Sequence, residues 1–318
     1  MRLRILMLFI MVCFLSFACV ENIITINLDP NGQSYFRFHS RGDSLDIFND
    51  DFSHPKDSMI NISTISIDND NWSHVTEISF DDSTYVFSNN DSLPLGYKFD
   101  KHIVSSFLKT EYELRLTFNG RMIRTEYPKL YSALISKSMD SLEWVPEAFA
   151  VIMKKGLEGL VQDSLMKNNV LLIDRLVNHM RNSLANITTM DQLKHIHNNK
   201  IAFLSELLRP FKVKEPIPSK LAKSMKPYED RLRRTMDLSD DVFIIKVLMP
   251  GQIFQSNAKT MLKDTLIWDF GIDSLLQTDY EIMAKSVIYD MAPLKKYIMT
   301  FLIFFSLLIF LFLRKNIG

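Results

Sequence analysis

From Tyr297 to Leu313 the chain carries no charge, and its only polar residues are Thr300 and Ser306. A helix tolerates both in lipid. At ~1.5 Å of rise per residue this run spans roughly 25 Å, near the short limit for a bilayer. Met291 to Leu294 adds length upstream. Lys295 and Lys296 precede the run, and Arg314 and Lys315 follow it. A buried core helix is the alternative, but no amphipathic pattern is present and basic residues bracket both ends. The pattern predicts a single transmembrane helix at 297–313, a cytoplasmic tail at 314–318, and an upstream body held at the membrane.

The other end carries a matching signal. Met1-Arg-Leu-Arg4 is basic, Ile5 to Phe17 is apolar apart from Ser16, and Ser16-Phe17-Ala18-Cys19 supplies small residues for cleavage. That order is a signal peptide over 1–18. Leu15-Ser16-Phe17-Ala18-Cys19 resembles a bacterial lipobox, with Leu15 four residues before the cysteine rather than three. Two readings follow: lipidation at Cys19, or a plain signal peptide or uncleaved anchor. Both readings give the same orientation, which exports the body and leaves the C-terminus in the cytoplasm.

Cys13 and Cys19 are the only cysteines, so the body has neither a disulfide framework nor a cysteine metal site. Lys plus Arg and Asp plus Glu are both 37, and this balance gives no reason to expect nucleic acid as a partner. Glycine is scarce, which argues against phosphate-cradling loops.

The body divides into a β part at 19–127, a helical block at 128–237 and a second β part at 238–290. Asn22 to Leu28 and Gln33 to His39 are β-branched or aromatic segments around the turn Asp29-Pro30-Asn31-Gly32, a hairpin pattern. Ile60 to Ile67 alternates as a half-buried strand does. Val75 to Phe80 and Thr84 to Phe87 flank Asp81-Asp82-Ser83. Asn119-Gly120 between Glu113–Phe118 and Met122–Thr125 predicts a second tight hairpin.

Pro128 suits a first helical position. A helix is expected from Pro146 to about Asp163, loosened by Gly156 and Gly159. Leu172, Leu176, Met180 and Leu184 form a helical stripe. Thr189-Met-Asp-Gln192 has the form of a capping box, opening a helix that Pro210 closes. After a connector at Phe211 to Pro218, Leu221, Met225, Tyr228, Leu232 and Met236 form another stripe, interrupted at Pro227. Strands return at Asp241–Leu248, Ile253–Gln255, Thr265–Phe270 and Asp279–Tyr289, with Met249-Pro250-Gly251-Gln252 as a type II turn. The expected fold is α+β: a mostly antiparallel sheet with an inserted helical block, its last strand pairing with the early ones.

Leu248-Met-Pro-Gly251, Ser256-Asn257, Leu266-Ile-Trp268 and the closing strand Asp279 to Ser286 resemble the LppM-type extracytoplasmic domain family. The opening Asn27-Leu-Asp-Pro-Asn-Gly32 hairpin, after a lipoprotein-like cysteine, is similar as well. The resemblance spans roughly residues 19 to 313 and implies a bacterial, membrane-anchored envelope domain with an α/β body. Its residues are of turn and core type and imply no reaction.

Motifs for chemistry are sparse. His195 and His197 diverge by about 200° on a helix and cannot chelate one metal from it. Asp68-Asn-Asp-Asn-Trp72 lacks the glycine and closing glutamate of a calcium loop. Arg41-Gly42-Asp43 is a tripeptide that chance readily produces. Gly-x-Ser-x-Gly, Walker and dinucleotide fingerprints are absent. Bases dominate from Lys194 to Arg234, a face suited to solvent or to an anionic surface. Asn61, Asn71, Asn90 and Asn186 stand in glycosylation sequons.

The function these features predict is a non-enzymatic, membrane-anchored envelope protein in a binding or assembly role, without catalytic residues, cofactor or metal. Its partners would be the membrane, through the C-terminal helix and an acylated Cys19, and a lipid or envelope protein. A lipid-binding domain with an apolar pocket and an unrecognised envelope hydrolase are the alternatives.

Overall fold

The structure is a computed structural model describing residues 21–42, 52, 54–55, 60–68, 71–81, 83–87, 95–162, 170–213 and 216–317, with a few side chains within these ranges left undescribed. The signal segment at 1–18, Cys19 and Asp43 lie outside the described residues.

The strands are β1 (Glu21–Leu28), β2 (Ser34–Gly42), β3 (Ile60–Asp68), β4 (Asn71–Phe80), β5 (Thr84–Phe87), β6 (Tyr97–Ser105) and β7 (Lys109–Phe118), then β8 (Val242–Leu248), β9 (Gln252–Ser256), β10 (Thr260–Leu262), β11 (Thr265–Phe270) and β12 (Tyr280–Tyr289). Between β7 and β8 come α1 (Ile123–Glu126), α2 (Pro128–Ile135), α3 (Val145–Gln162), α4 (Val170–Leu184), α5 (Met190–Asn198), α6 (Lys200–Leu208) and α7 (Ile217–Asp237); α8 (Ala292–Ile317) follows β12.

The strands form two sheets rather than one. The first runs β10-β11-β8-β1-β2-β4-β3 and the second β5-β6-β7-β12-β9. Every described pairing is antiparallel except β1 with β8, where Glu21 lies beside Val242 and Asn27 beside Leu248. The expected return of the last strand is observed: β12 pairs with β7 from Tyr280–Phe118 to Tyr289–Lys109.

Strict alternation builds the core. β1 buries Ile24, Ile26 and Leu28, and β2 buries Phe36 and Phe38. Their rings meet those of the second sheet. Phe36 stands edge-on to Phe99 with centroids 5.0 Å apart, and Phe118 meets Phe270 at 5.1 Å. Phe270 in turn lies 4.4 Å from Tyr280. Such pairs add directional preference to simple area burial. Lys101 is buried under the first hairpin, where its ammonium donates to the Gly32 carbonyl and to Ser34 Oγ.

Several expectations are corrected. Asn119-Gly120 does not turn a hairpin: after β7 the chain enters α1, and Ile123 N–H donates to Leu276 O at 2.6 Å. Long-range bonds to the 272–276 segment outweigh the local turn preference. Ile65 and Ile67 on β3, the edge strand of the first sheet, are exposed. The helix opened by Thr189 does carry its capping box, but it breaks at Asn199 into α5 and α6. Pro227 does not interrupt α7, which is continuous from Ile217 to Asp237. Gly156 does not loosen α3. It is the contact point with α7, where a Cβ would lie 2.7 Å from Met225 Cγ, and its carbonyl accepts from Ser224 Oγ at 2.9 Å.

The largest correction concerns the C-terminus. Among the described residues no helix is long and apolar enough to cross a membrane. The helix itself forms as α8, but it opens with Lys295 and Lys296 in its second turn. The transmembrane helix at 297–313, the single-pass topology and the cytoplasmic tail that depended on it are therefore not supported. Phe107 packs on Tyr297 with ring centroids 5.1 Å apart, which ties the start of α8 to the β6–β7 turn.

Trp268, fully buried on β11, donates from Nε1 to Asn257 Oδ1 at 3.0 Å. Trp268→Ala is expected to lower the unfolding free energy by about 3–5 kcal/mol in urea titrations followed by circular dichroism.

Candidate functional site

Among the described residues, an open pocket of about 260 Å³ lies in the helical block, walled by α3, α5 and α7. Its lining follows helical spacing. Phe149 and Ile152 come from α3, Met190, Leu193, Lys194 and His197 from α5, and Glu229, Leu232, Arg233 and Met236 from α7. Residues three and four apart stack on one face of a helix, so each wall is a single stripe. Trp144 closes the inner end, its Nε1 donating to Met139 O at 3.2 Å. The sequence stripe containing Leu232 and Met236 is thus shared between core and pocket.

One polar group in this wall stands apart. Glu229 Oε2 accepts from Lys200 Nζ at 2.6 Å, and Lys200 also reaches Ala222 O. Both side chains are largely buried. Glu229 Oε1 is buried without a hydrogen-bond partner. A buried carboxylate oxygen left unpaired is costly, and a donor from a ligand would satisfy it. The pocket therefore combines an apolar wall with one unused acceptor and a rim bearing Lys194, His197 and Arg233. Its volume is near the lower end for small-molecule sites.

His197 reaches the pocket rim, whereas His195 does not line it. Among the described residues no group of three or more metal-ligating side chains converges. Part of the basic stretch is engaged inside its own block: Lys226 and Arg233 both pair with Asp230, and Lys200 pairs with Glu229.

A second polar constellation, absent from the sequence reading, lies inside the first sheet. Asn22 Nδ2 donates to Asp241 Oδ2 at 3.4 Å, and Ser40 Oγ donates to Asn22 Oδ1 at 2.7 Å. His54 Nε2 is 3.0 Å from Ser40 Oγ, and His54 Nδ1 is 2.9 Å from Thr76 Oγ1. The Ser40 proton is already committed to Asn22, so Nε2 must be the donor to Ser40. In this arrangement the Ser40 hydroxyl is engaged with Asn22 rather than offered to His54. Ser40 and His54 are also buried. His54 stacks on His74 with ring centroids 3.9 Å apart and planes 8° from parallel, a contact that suits neutral rings. Periodicity could not reveal this network, because its members come from five separate segments.

No family model matches the chain, and no curated protein does. Among solved structures, it is similar to the folded domain of Mycobacterium tuberculosis LppM, at 7% identity and a TM-score of 0.29, over 85% of this chain and 91% of that one. This is a weak structural resemblance, and it decides neither fold nor function.

Burial lowers the pKa of His54 to about 3, with smaller contributions from the nearby His74 and His39. The unfolded state, with an ordinary histidine pKa near 6.5, binds a proton that the folded state refuses between those values. Stability from this site is therefore complete above about pH 6.5 and falls as pH drops towards 3, by at most about 1.4 kcal/mol per pH unit. Denaturation at stepped pH is expected to show that slope reduced in His54→Gln.

Proposed function

We propose that this protein is a non-enzymatic binding protein of the cell envelope that holds an amphipathic, lipid-like ligand in its helical block. The pocket between α3, α5 and α7 carries the reading. Its apolar wall of Trp144, Phe149, Ile152, Leu193 and Met236 suits a hydrocarbon segment. The unpaired Glu229 Oε1 suits a hydroxyl or amine donor at one end of that segment. The envelope location rests on the basic-apolar-small order of residues 1–19, and lipidation at Cys19 belongs to the same reading. The non-enzymatic role is supported by the committed hydrogen bonds and burial of the Ser40–His54 pair.

Native mass spectrometry of the protein extracted in mild detergent is expected to retain a stoichiometric lipid. Leu193→Trp, which fills the pocket, should weaken binding of a fluorescent fatty alcohol by about tenfold or more while leaving the circular dichroism spectrum unchanged. Glu229→Gln should weaken the same probe less. Equal affinity of wild type and Leu193→Trp would exclude this pocket as the ligand site.

A further inference from the structure

The least satisfied charge among the described residues lies outside that pocket. Arg121 follows β7 and is 7% exposed, yet its Nε and Nη2 have no hydrogen-bond partner. Its backbone fixes it in place: Arg121 N–H donates to Leu275 O at 2.7 Å, and Gly120 N–H donates to Asp279 Oδ1 at 2.7 Å. The turn at Ile272–Leu275 packs against the turn at Leu238–Asp240 that ends α7. Arg121 thus sits where the second sheet meets the last turns of α7.

Two further guanidinium groups, on α7, act on Arg121 through their charge. Arg231 and Arg234 are half-buried, and Arg234 Nη1 is itself buried without a partner. Burial first, and then the charges of Arg231 and Arg234, lower the pKa of Arg121 to about 10. Asp279 Oδ1 accepts from Gly120 N–H, and Glu126 is neutralised by Lys155 at 2.6 Å, whose ammonium stands over the rings of Tyr127 and Tyr228. Desolvating like charges together without a counter-charge is strongly unfavourable, and such a cluster calls for an anion. A guanidinium with free Nε and Nη2 presents the paired donors that bind two oxygens of one group.

We propose that Arg121, Arg231 and Arg234 form a binding site for an oxyanion of the phosphate class, taken either as inorganic phosphate or as the phosphate of a lipid headgroup. Arg121 is the most deeply buried of the three, and the two from α7 are half-buried. At 100° per residue, Arg231 and Arg234 face nearly opposite to the helix stripe of Glu229, Leu232, Arg233 and Met236. The oxyanion site is therefore separate from the apolar pocket and stands whether or not that pocket holds a lipid.

The test is thermal unfolding of the full chain in inorganic phosphate against chloride at equal ionic strength, with calorimetric titration of phosphate. A parallel arm measures cosedimentation with phosphatidylglycerol vesicles. Phosphate is expected to raise the Tm of wild type, and Arg121→Met should abolish that rise. Without phosphate Arg121→Met should be at least as stable as wild type, because it removes an unpaired buried charge. Phosphate affinity should fall about tenfold in Arg234→Met, which keeps the test valid should Arg121→Met fail to fold. Loss of vesicle binding in the same variants, without a phosphate effect on wild-type Tm, would assign the site to a lipid headgroup. The proposal is overturned by wild type that responds to neither phosphate nor vesicles. It is equally overturned by responses that survive in all the arginine variants, or by Arg121→Met that folds but is less stable than wild type in phosphate-free buffer.

Discussion

The parallel ladder between β1 and β8 is the constraint on which the rest of the structure depends. It joins segments so distant in the chain that Asn22 and Asp241, hydrogen-bonded to each other at its end, are 219 positions apart. Between them the chain adds β2, β3 and β4 to the first sheet, lays down β5 to β7 of the second and the helical block, and then returns. The loop-closure entropy of such a pairing is recovered only through many other contacts. The interlocked rings of Phe36, Phe99, Phe118 and Phe270 supply those contacts across the two sheets. Asn22, Ser40, His54 and Thr76 add a hydrogen-bonded chain of polar groups within the first sheet. A buried polar network of this kind is tolerated because its members satisfy one another.

The helical block hangs on the same closure. It leaves from β7 and returns to β8, so its first and last turns are held beside each other by the sheets. α7 is the element that both sites share. Its Met225 face packs on Gly156 of α3, its Glu229–Met236 stripe lines the apolar pocket, and Arg231 and Arg234 flank Arg121. One amphipathic helix with basic residues around an apolar stripe can serve all three surfaces because successive residues rotate by about 100°.

Local signals were legible wherever they were self-contained. The Asp29–Gly32 turn, the Thr189 capping box, Pro128 at the start of α2 and the alternation of β1 and β2 each appear as the residues predict. Signals that competed with distant contacts were misleading. Asn119-Gly120 reads as a hairpin, yet the backbone there is captured by Leu275 and Leu276. Pro227 reads as a break, yet it lies within a helix whose neighbours hold it from both sides. The apolar run after Tyr297 reads as a bilayer span, yet among the described residues no helix is long and apolar enough to cross a membrane.

By itself the sequence determined the α+β character, the order of strand and helix regions and the self-contained turns and caps, because each of these follows from periodicity and from backbone preference within a few residues. Tertiary structure alone decided that the strands divide into two sheets and that β8 lies parallel to β1. It also decided that Glu229 keeps a carboxylate oxygen unpaired, and that Arg121 is buried beside two more arginines. Desolvation and hydrogen-bond satisfaction depend on what surrounds a group in space. Those surroundings come from segments that share no local pattern.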